Sequence, residues 1–255
     1  MQSIGGVLMQ SETFDPSKFP RRLNLGCGFD LRPGYLNVDL QAFHKPDLVA
    51  DVGKLDLLPA DYYEEVLAQD VLEHLPRTST TKILAHWNRL LAPGGLLRLR
   101  VPNAISILKL MTSRENQSVG RQEELIQMLF GTQAYSGDFH FTSFTEVLLR
   151  HYLQATGFDV VSISLPDPWN LDATGRKVRS VSARDVGDFS DLLAIEGDEA
   201  FVRECYLVIL RRPGDAAGAH FWLSSLTDKK IERTGVIDAM VQSEEFKSLS
   251  PGRST

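Results

Sequence analysis

Residues 21–40, "RRLNLGCGFDLRPGYLNVDL", decide the fold. An apolar run, Leu23-Asn24-Leu25, leads into a Gly-x-Gly turn at Gly26 and Gly28, and a second run from Tyr35 ends on an acid, Asp39. Such a strand, turn and acid open a nucleotide-binding α/β fold, because glycines admit close approach of the main chain to a ligand. The dinucleotide version does not fit. It needs a third small residue where Leu31 stands and an acid ~20 residues on, whereas Asp39 follows Gly28 by only eleven.

Working outward, short apolar runs at Asp47 to Ala50, Glu65 to Ala68 and Leu96 to Val101 read as further strands. Before the last of these, "STTKILAHWNRLLAPGG" sets Ile83, Leu84, Trp87, Leu90 and Leu91 on one helical face and stops at Pro93-Gly94-Gly95. "ISILKLM" and "EELIQMLF" read as helical pieces of a substrate-side insertion. "SFTEVLLRHYLQATGF" carries a capping box, Ser143 with Glu146, and a glycine stop at Gly157. "FDVVSISL" then predicts a strand with "NLDATGRKV" as its antiparallel neighbour. The links between the first three strands fall short of the ~10 to 12 residues of a helical crossover, so the first helix is expected to shrink to a turn.

Composition bounds the class more loosely. Over 255 residues the net charge is −6, which leaves no basic footprint for nucleic acid. Cys27 and Cys205 form neither a CxxC pair nor a metal-ligand spacing, so no metal and a reducing, cytoplasmic setting are expected. The first twenty residues lack a signal-like apolar core and read as an N-terminal arm, with Phe14 and Phe19 able to fold over a nearby pocket; no segment reads as a membrane span.

Together "LNLGCG", "LNVDL", "VAD", "AQDVLEHL" and "LLAPGGLLRLRVPN" fall in an order that resembles a class I S-adenosylmethionine-dependent methyltransferase, in a trimmed bacterial branch associated with sugar and surface-polysaccharide pathways. The resemblance implies a Rossmann-like, seven-stranded, mostly parallel sheet with an antiparallel last strand over residues 21–180. It implies S-adenosylmethionine as cofactor, held by Asn24, Gly26, Cys27, Gly28, Asp39, Leu40, Asp51, Val52 and Gln69. Gly26 and Gly28 would pass the methionine end, Asp39 would take both ribose hydroxyls, and Asp51 the adenine amine. Asn24 departs from the acid many members carry there, since an amide cannot neutralise an ammonium; Gln69 is expected to take over.

An oxygen nucleophile needs a base, and His140, His74 and Asp70 are the candidates, with Asp138 as a further partner. Glu73 reads as fixing the turn, and His44, His86, His151 and His220 as surface or packing residues. The acceptor is expected to be a small molecule or glycan, with O-methylation of a sugar the leading reading. A catalytically degenerate binding or scaffold protein is the alternative.

Residues 181–195 read as a linker and 196–250 as a small all-helical domain, with Asp198 and Asp215 as helix caps. Arg212, Asp215, Gly218, Trp222 and the Ser243 to Phe246 run resemble a small bacterial helical domain of unknown function. Either a partner- or glycan-binding role or self-association would suit it.

Overall fold

Leu23 and Leu25 in the first strand, β1 (Arg22–Leu25), are fully buried on one face of the sheet, and Asn24 between them faces the other. This is the computed structural model of the chain; it describes residues 15–135, 137–182 and 184–249 and divides into two units after Ser182. Phe14 lies outside the described residues, and Phe19 packs against the core of the first unit rather than over a pocket.

After β1 come β2 (Leu36–Asp39), β3 (Leu48–Val49) and β4 (Tyr63–Gln69). No helix forms between β1 and β2, and only a 3-10 turn, Ala42–His44, separates β2 from β3. Helix α1 (Thr80–Leu90) runs straight into β5 (Leu91–Pro102), whose pairing begins at Leu91 opposite Tyr63, skips the Pro93-Gly94-Gly95 stop in a register shift and resumes at Leu96 opposite Glu65. Helices α2 (Ala104–Thr112), α3 (Val119–Phe130) and α4 (Glu146–Ala155) precede β6 (Phe158–Ser164) and β7 (Asn170–Lys177). Among the described residues the sheet has seven strands in the order β3-β2-β1-β4-β5-β7-β6, parallel except for β7.

Register explains the asymmetry of the two faces. Leu25, Ala68, Leu99 and Ala173 are successive partners across the sheet and lie in the core with Leu84, Trp87 and Leu90 of α1 and Leu149 and Leu153 of α4. Each large apolar side chain so buried contributes about 1.5–3 kcal/mol relative to exposure. The opposite face carries Asn24, Gln69, Arg98 and Arg100, and Arg100 forms a two-pronged ion pair with Asp172. A parallel sheet covered on both faces would be apolar on both. The shortened early connections leave this one polar.

One local signal shifts position. Ser143 does not cap α4, because Phe144 is bridged to Asn103 and holds that stretch extended while the Ser143 hydroxyl donates to the Pro102 carbonyl. Thr145 is the cap, accepting from the Leu148 amide.

The second unit contains α5 (Asp198–Val208), α6 (Ala216–Thr227), α7 (Arg233–Gln242) and α8 (Glu244–Ser248). Its core is Phe201, Val202, Cys205, Ile209, Val236, Ile237, Met240 and Phe246, with Trp222 packed against it. Phe189 and Leu192, inside the stretch read as linker, are buried in that core. Asp215 caps α6 by accepting from the Gly218 amide. Asp198 is not a cap: it stands in the first turn of α5 and pairs with Arg233.

Candidate active site

The carboxyl ends of β1, β2 and β4 open into a cavity of about 580 Å³, and every residue assigned to the cofactor lines it. That volume lies within the range of small-molecule sites. Gly26 has φ +60, and a Cβ added there would stand 2.5 Å from Val71 Cγ2; Gly28 has φ +50 with no atom within 4 Å of an added Cβ. The first glycine is thus required by packing as well as by conformation. The second leaves empty the space a passing ligand would fill.

Asp39 is tied into the loop it serves. Its Oδ2 accepts from the Gly28 amide at 2.8 Å, and its Oδ1 accepts from the Gln41 amide at 2.7 Å and faces His44 Nδ1 at 3.0 Å. A carboxylate offers about four acceptor directions. Three being used, about one acceptor direction of Asp39 is free. His44 is not a surface residue but a packing one: it is buried against Phe29 and Phe43, and it also lines the cavity.

Behind the glycine turn, the Asn24 amide donates to the Asp30 carbonyl and to Asn37 Oδ1. Arg32 donates to Gln69 Oε1 at 2.6 Å and pairs with Asp30 at 2.7 Å. The "FDLRPG" bridge therefore brings a guanidinium to the place where a helix N-terminus would otherwise offer its dipole. Cys27 is buried in this loop, and burial followed by the nearby Asp39 and Asp47 carboxylates pushes its thiol up to about 12.

After β3, Asp51 Oδ1 accepts from the Gly53 amide, forming a turn, and still lines the cavity. Val52 is held from behind, its carbonyl accepting from Trp87 Nε1 at 2.9 Å. Phe29, Leu40, Phe43 and Tyr135 are exposed at 79, 61, 55 and 47% around this mouth. Phe29, Phe43 and the His44 ring cluster in tilted and edge-to-face contacts, and Phe43 meets Tyr135 at 6.3 Å.

Asp70, with a left-handed φ of 54, lines the far wall; burial raises its carboxyl pKa above the ordinary value. Backbone strain of this kind costs of order 1–3 kcal/mol and gathers at functional sites. His74 follows on the turn Leu72–His74 and also lines the cavity. His140 does not; it sits behind His74, the rings 4.6 Å apart and edge to face. Burial lowers both imidazole pKa values, and for His140 the His74 charge adds to it. Asp138 is not hydrogen-bonded to either ring, since its carboxylate accepts from Thr132 and His74 Nδ1 faces the Phe139 carbonyl. Glu73 anchors the turn through its carbonyl, which accepts from the Phe141 amide.

Arg32, His44 and Tyr135 are cavity residues that sequence reasoning passed over. Arg32 had a local signal, being the one cation in the bridge beside the glycine turn. His44 and Tyr135 had none, as each reaches the site only through the path of a connecting segment. The donors and acceptors suit S-adenosylmethionine: a side-chain-free passage at Gly28, an acceptor at Asp39, a cation at Arg32 and an acceptor at Asp51.

Three solved structures are partly similar to this chain. An exported-protein candidate of Bordetella parapertussis has 15% identity and a TM-score of 0.46, over 63% of this chain and 63% of that one. A Burkholderia thailandensis 1,6-didemethyltoxoflavin-N1-methyltransferase, solved with its acceptor and S-adenosylhomocysteine, has 18% identity and a TM-score of 0.42, over 62% of this chain and 71% of that one. A Methanosarcina mazei S-adenosylmethionine-dependent methyltransferase has 17% identity and a TM-score of 0.46, over 62% and 92%. No curated protein matches the sequence. Residues 189–250 match a domain of unknown function (DUF4214). Residues 6–163, more than half of the chain, match the methyltransferase domain, and the chain belongs to that family of S-adenosylmethionine-dependent enzymes.

Proposed function

We propose that the chain methylates a hydroxyl of a small molecule or glycan, a sugar being the leading acceptor, in the cytoplasm. The observation that carries this reading is the aromatic mouth: Phe29, Phe43 and Tyr135 are exposed beside the cavity, and the apolar C–H face of a sugar ring packs on aromatic rings. When bound, S-adenosylmethionine supplies an electrophilic methyl that passes in line to the acceptor oxygen, the sulfur keeping the C–S electron pair. Arg32 holds the methionine carboxylate, Asp39 one ribose hydroxyl and Asp51 the adenine amine. Asp70, at the acceptor wall, takes the hydroxyl proton; its raised pKa brings it nearer the working range of a base. His74 faces the same space and orients the acceptor, with His140 supporting it from behind.

A binding protein without turnover is favoured by one feature, the commitment of the Asn24 amide to Asp30 and Asn37. A mass-spectrometric screen for S-adenosylhomocysteine release with nucleotide sugars and surface glycans decides between the two. Product with any sugar acceptor supports the enzyme. Tight cofactor binding with no product from sugars, but product from non-sugar small molecules, removes the sugar reading and keeps the methyltransferase.

A further inference from the structure

Glu73 is the most deeply buried acid beside the site, 1% exposed, and its Oε2 has no hydrogen-bond partner. A carboxyl group removed from water and left unsatisfied is costly, and proteins resolve the cost with a partner, a proton or a cation. No base of Lys or Arg type contacts it among the described residues. Two imidazoles do lie alongside. One ligand atom each from Glu73, His74 and His140 fall within 4.8 Å of one another, the one such group of three or more among the described residues.

His74 Nδ1 faces the Phe139 carbonyl at 3.2 Å and His140 Nδ1 the Met128 carbonyl at 3.1 Å. A carbonyl can only accept, so each Nδ1 carries the hydrogen and each Nε2 keeps its lone pair. Main-chain carbonyls behind ligating histidines fix tautomer and ring direction in this way. The three residues come from two segments, the turn after β4 and the loop before α4, and these are pinned to each other by the Phe141 amide donating to the Glu73 carbonyl.

We infer that Glu73, His74 and His140 form a site for a divalent transition ion of the zinc class, adjoining the acceptor end of the cavity through His74. Two imidazoles and a carboxylate suit zinc, with an open position left for an exogenous oxygen. Ligand atoms around zinc at ~2.1 Å stand about 3.4 Å apart, so the three side chains close by roughly an ångström on binding. The inference deepens the methyl-transfer reading, since the open position would face the acceptor oxygen, and rests on that reading only for the ion's use.

The test takes the full-length chain, free of any affinity tag, stripped with EDTA and dialysed. Titration with Co²⁺ alone is followed by visible absorption, then displacement by Zn²⁺ by calorimetry. One equivalent of cobalt with the intense bands of a low-coordinate site, displaced by zinc, is expected; His140→Ala should weaken Zn²⁺ affinity by about 100-fold or more. Glu73→Gln, which keeps the shape of the side chain, guards against a His140→Ala variant that fails to fold, and should weaken affinity about 10-fold. Wild-type protein that binds no cobalt, or a folded Glu73→Gln that binds Zn²⁺ as wild type does, overturns the site. S-adenosylhomocysteine binding measured in EDTA tests the cofactor assignment separately, so the two failures cannot be confused.

Discussion

The Gly28 amide donates to Asp39 Oδ2 at 2.8 Å, so the second glycine of the loop and the acid at the end of β2 form one unit. In the proposed cofactor pose, the acid at the ribose also holds the loop that the methionine end crosses. Asp39→Asn keeps the volume but leaves one acceptor oxygen for the three donors now served. Hydrogen bonds to charged groups contribute about 1.5–3 kcal/mol each. Affinity for S-adenosylhomocysteine should therefore fall at least about 10-fold by calorimetry. An unchanged dissociation constant would remove Asp39 from the site.

Gly26 and Gly28 should respond differently to the same methyl group. In Gly26→Ala the Cβ lands 2.5 Å from Val71 Cγ2 in a left-handed conformation, so folding stability should drop by ~2 kcal/mol or more. In Gly28→Ala nothing is struck, and only the left-handed backbone is penalised, by about 1 kcal/mol. Its methyl nonetheless occupies the ligand's path. Thermal unfolding and cofactor titration together check the contrast: the first variant loses stability foremost, the second binding.

These two glycines and Asp39 were legible because they lie on one strand, one turn and the next strand, where spacing nearly dictates position. The sheet was legible for the same reason, with alternating Leu23 and Leu25 against Asn24. What was hidden depends on nonlocal paths. His44 looks like any surface histidine until the turn after β2 folds its ring back onto Asp39, and Thr145 displaces Ser143 as a cap only because Phe144 pairs with Asn103. Phe189 and Leu192 sit in a polar run whose composition says linker, and only the helices they meet make them core.

Arg32 gives a prediction that separates the two ends of the cofactor. If the guanidinium holds the methionine carboxylate, Arg32→Gln should weaken S-adenosylhomocysteine by about 10-fold, the loss of one charge-assisted bond. Affinity for 5′-methylthioadenosine, which lacks the amino-acid end, should stay within about twofold. Equal losses for both ligands would mean that Arg32 merely props Gln69.

Cysteine chemistry follows from burial. Desolvation, together with Asp39 and Asp47, puts the Cys27 thiol at about 12, and desolvation puts Cys205 there also. Raising the pKa favours the neutral thiol, so at pH 8 the thiolate fraction is about 1000-fold below that of a thiol at the ordinary 9.0. Native protein should leave a disulfide reagent unreacted at pH 8 over minutes, and denatured protein should react at both cysteines. Prompt labelling of Cys27 in the native state would contradict its burial.

Lys177 closes the first unit. It is 3% exposed, and its ammonium donates to the carbonyls of Asn88 at 2.8 Å and Leu91 at 2.7 Å and to Asp61 at 2.6 Å. Those carbonyls belong to the junction where α1 turns directly into β5, a place with no loop to hydrate them. The Asp61 carboxylate is 55% exposed, so its ion pair contributes under about 1 kcal/mol. The buried carbonyls decide the outcome. Lys177→Met removes the ammonium from both carbonyls, leaving Asn88 only the Leu91 amide, and should cost ~2–4 kcal/mol, lowering the melting temperature of this unit by roughly 5–12 °C, whereas Asp61→Asn should lower it by less than about 3 °C. If the two substitutions proved equally damaging in calorimetry, the ion pair and not the carbonyl cap would be holding the junction.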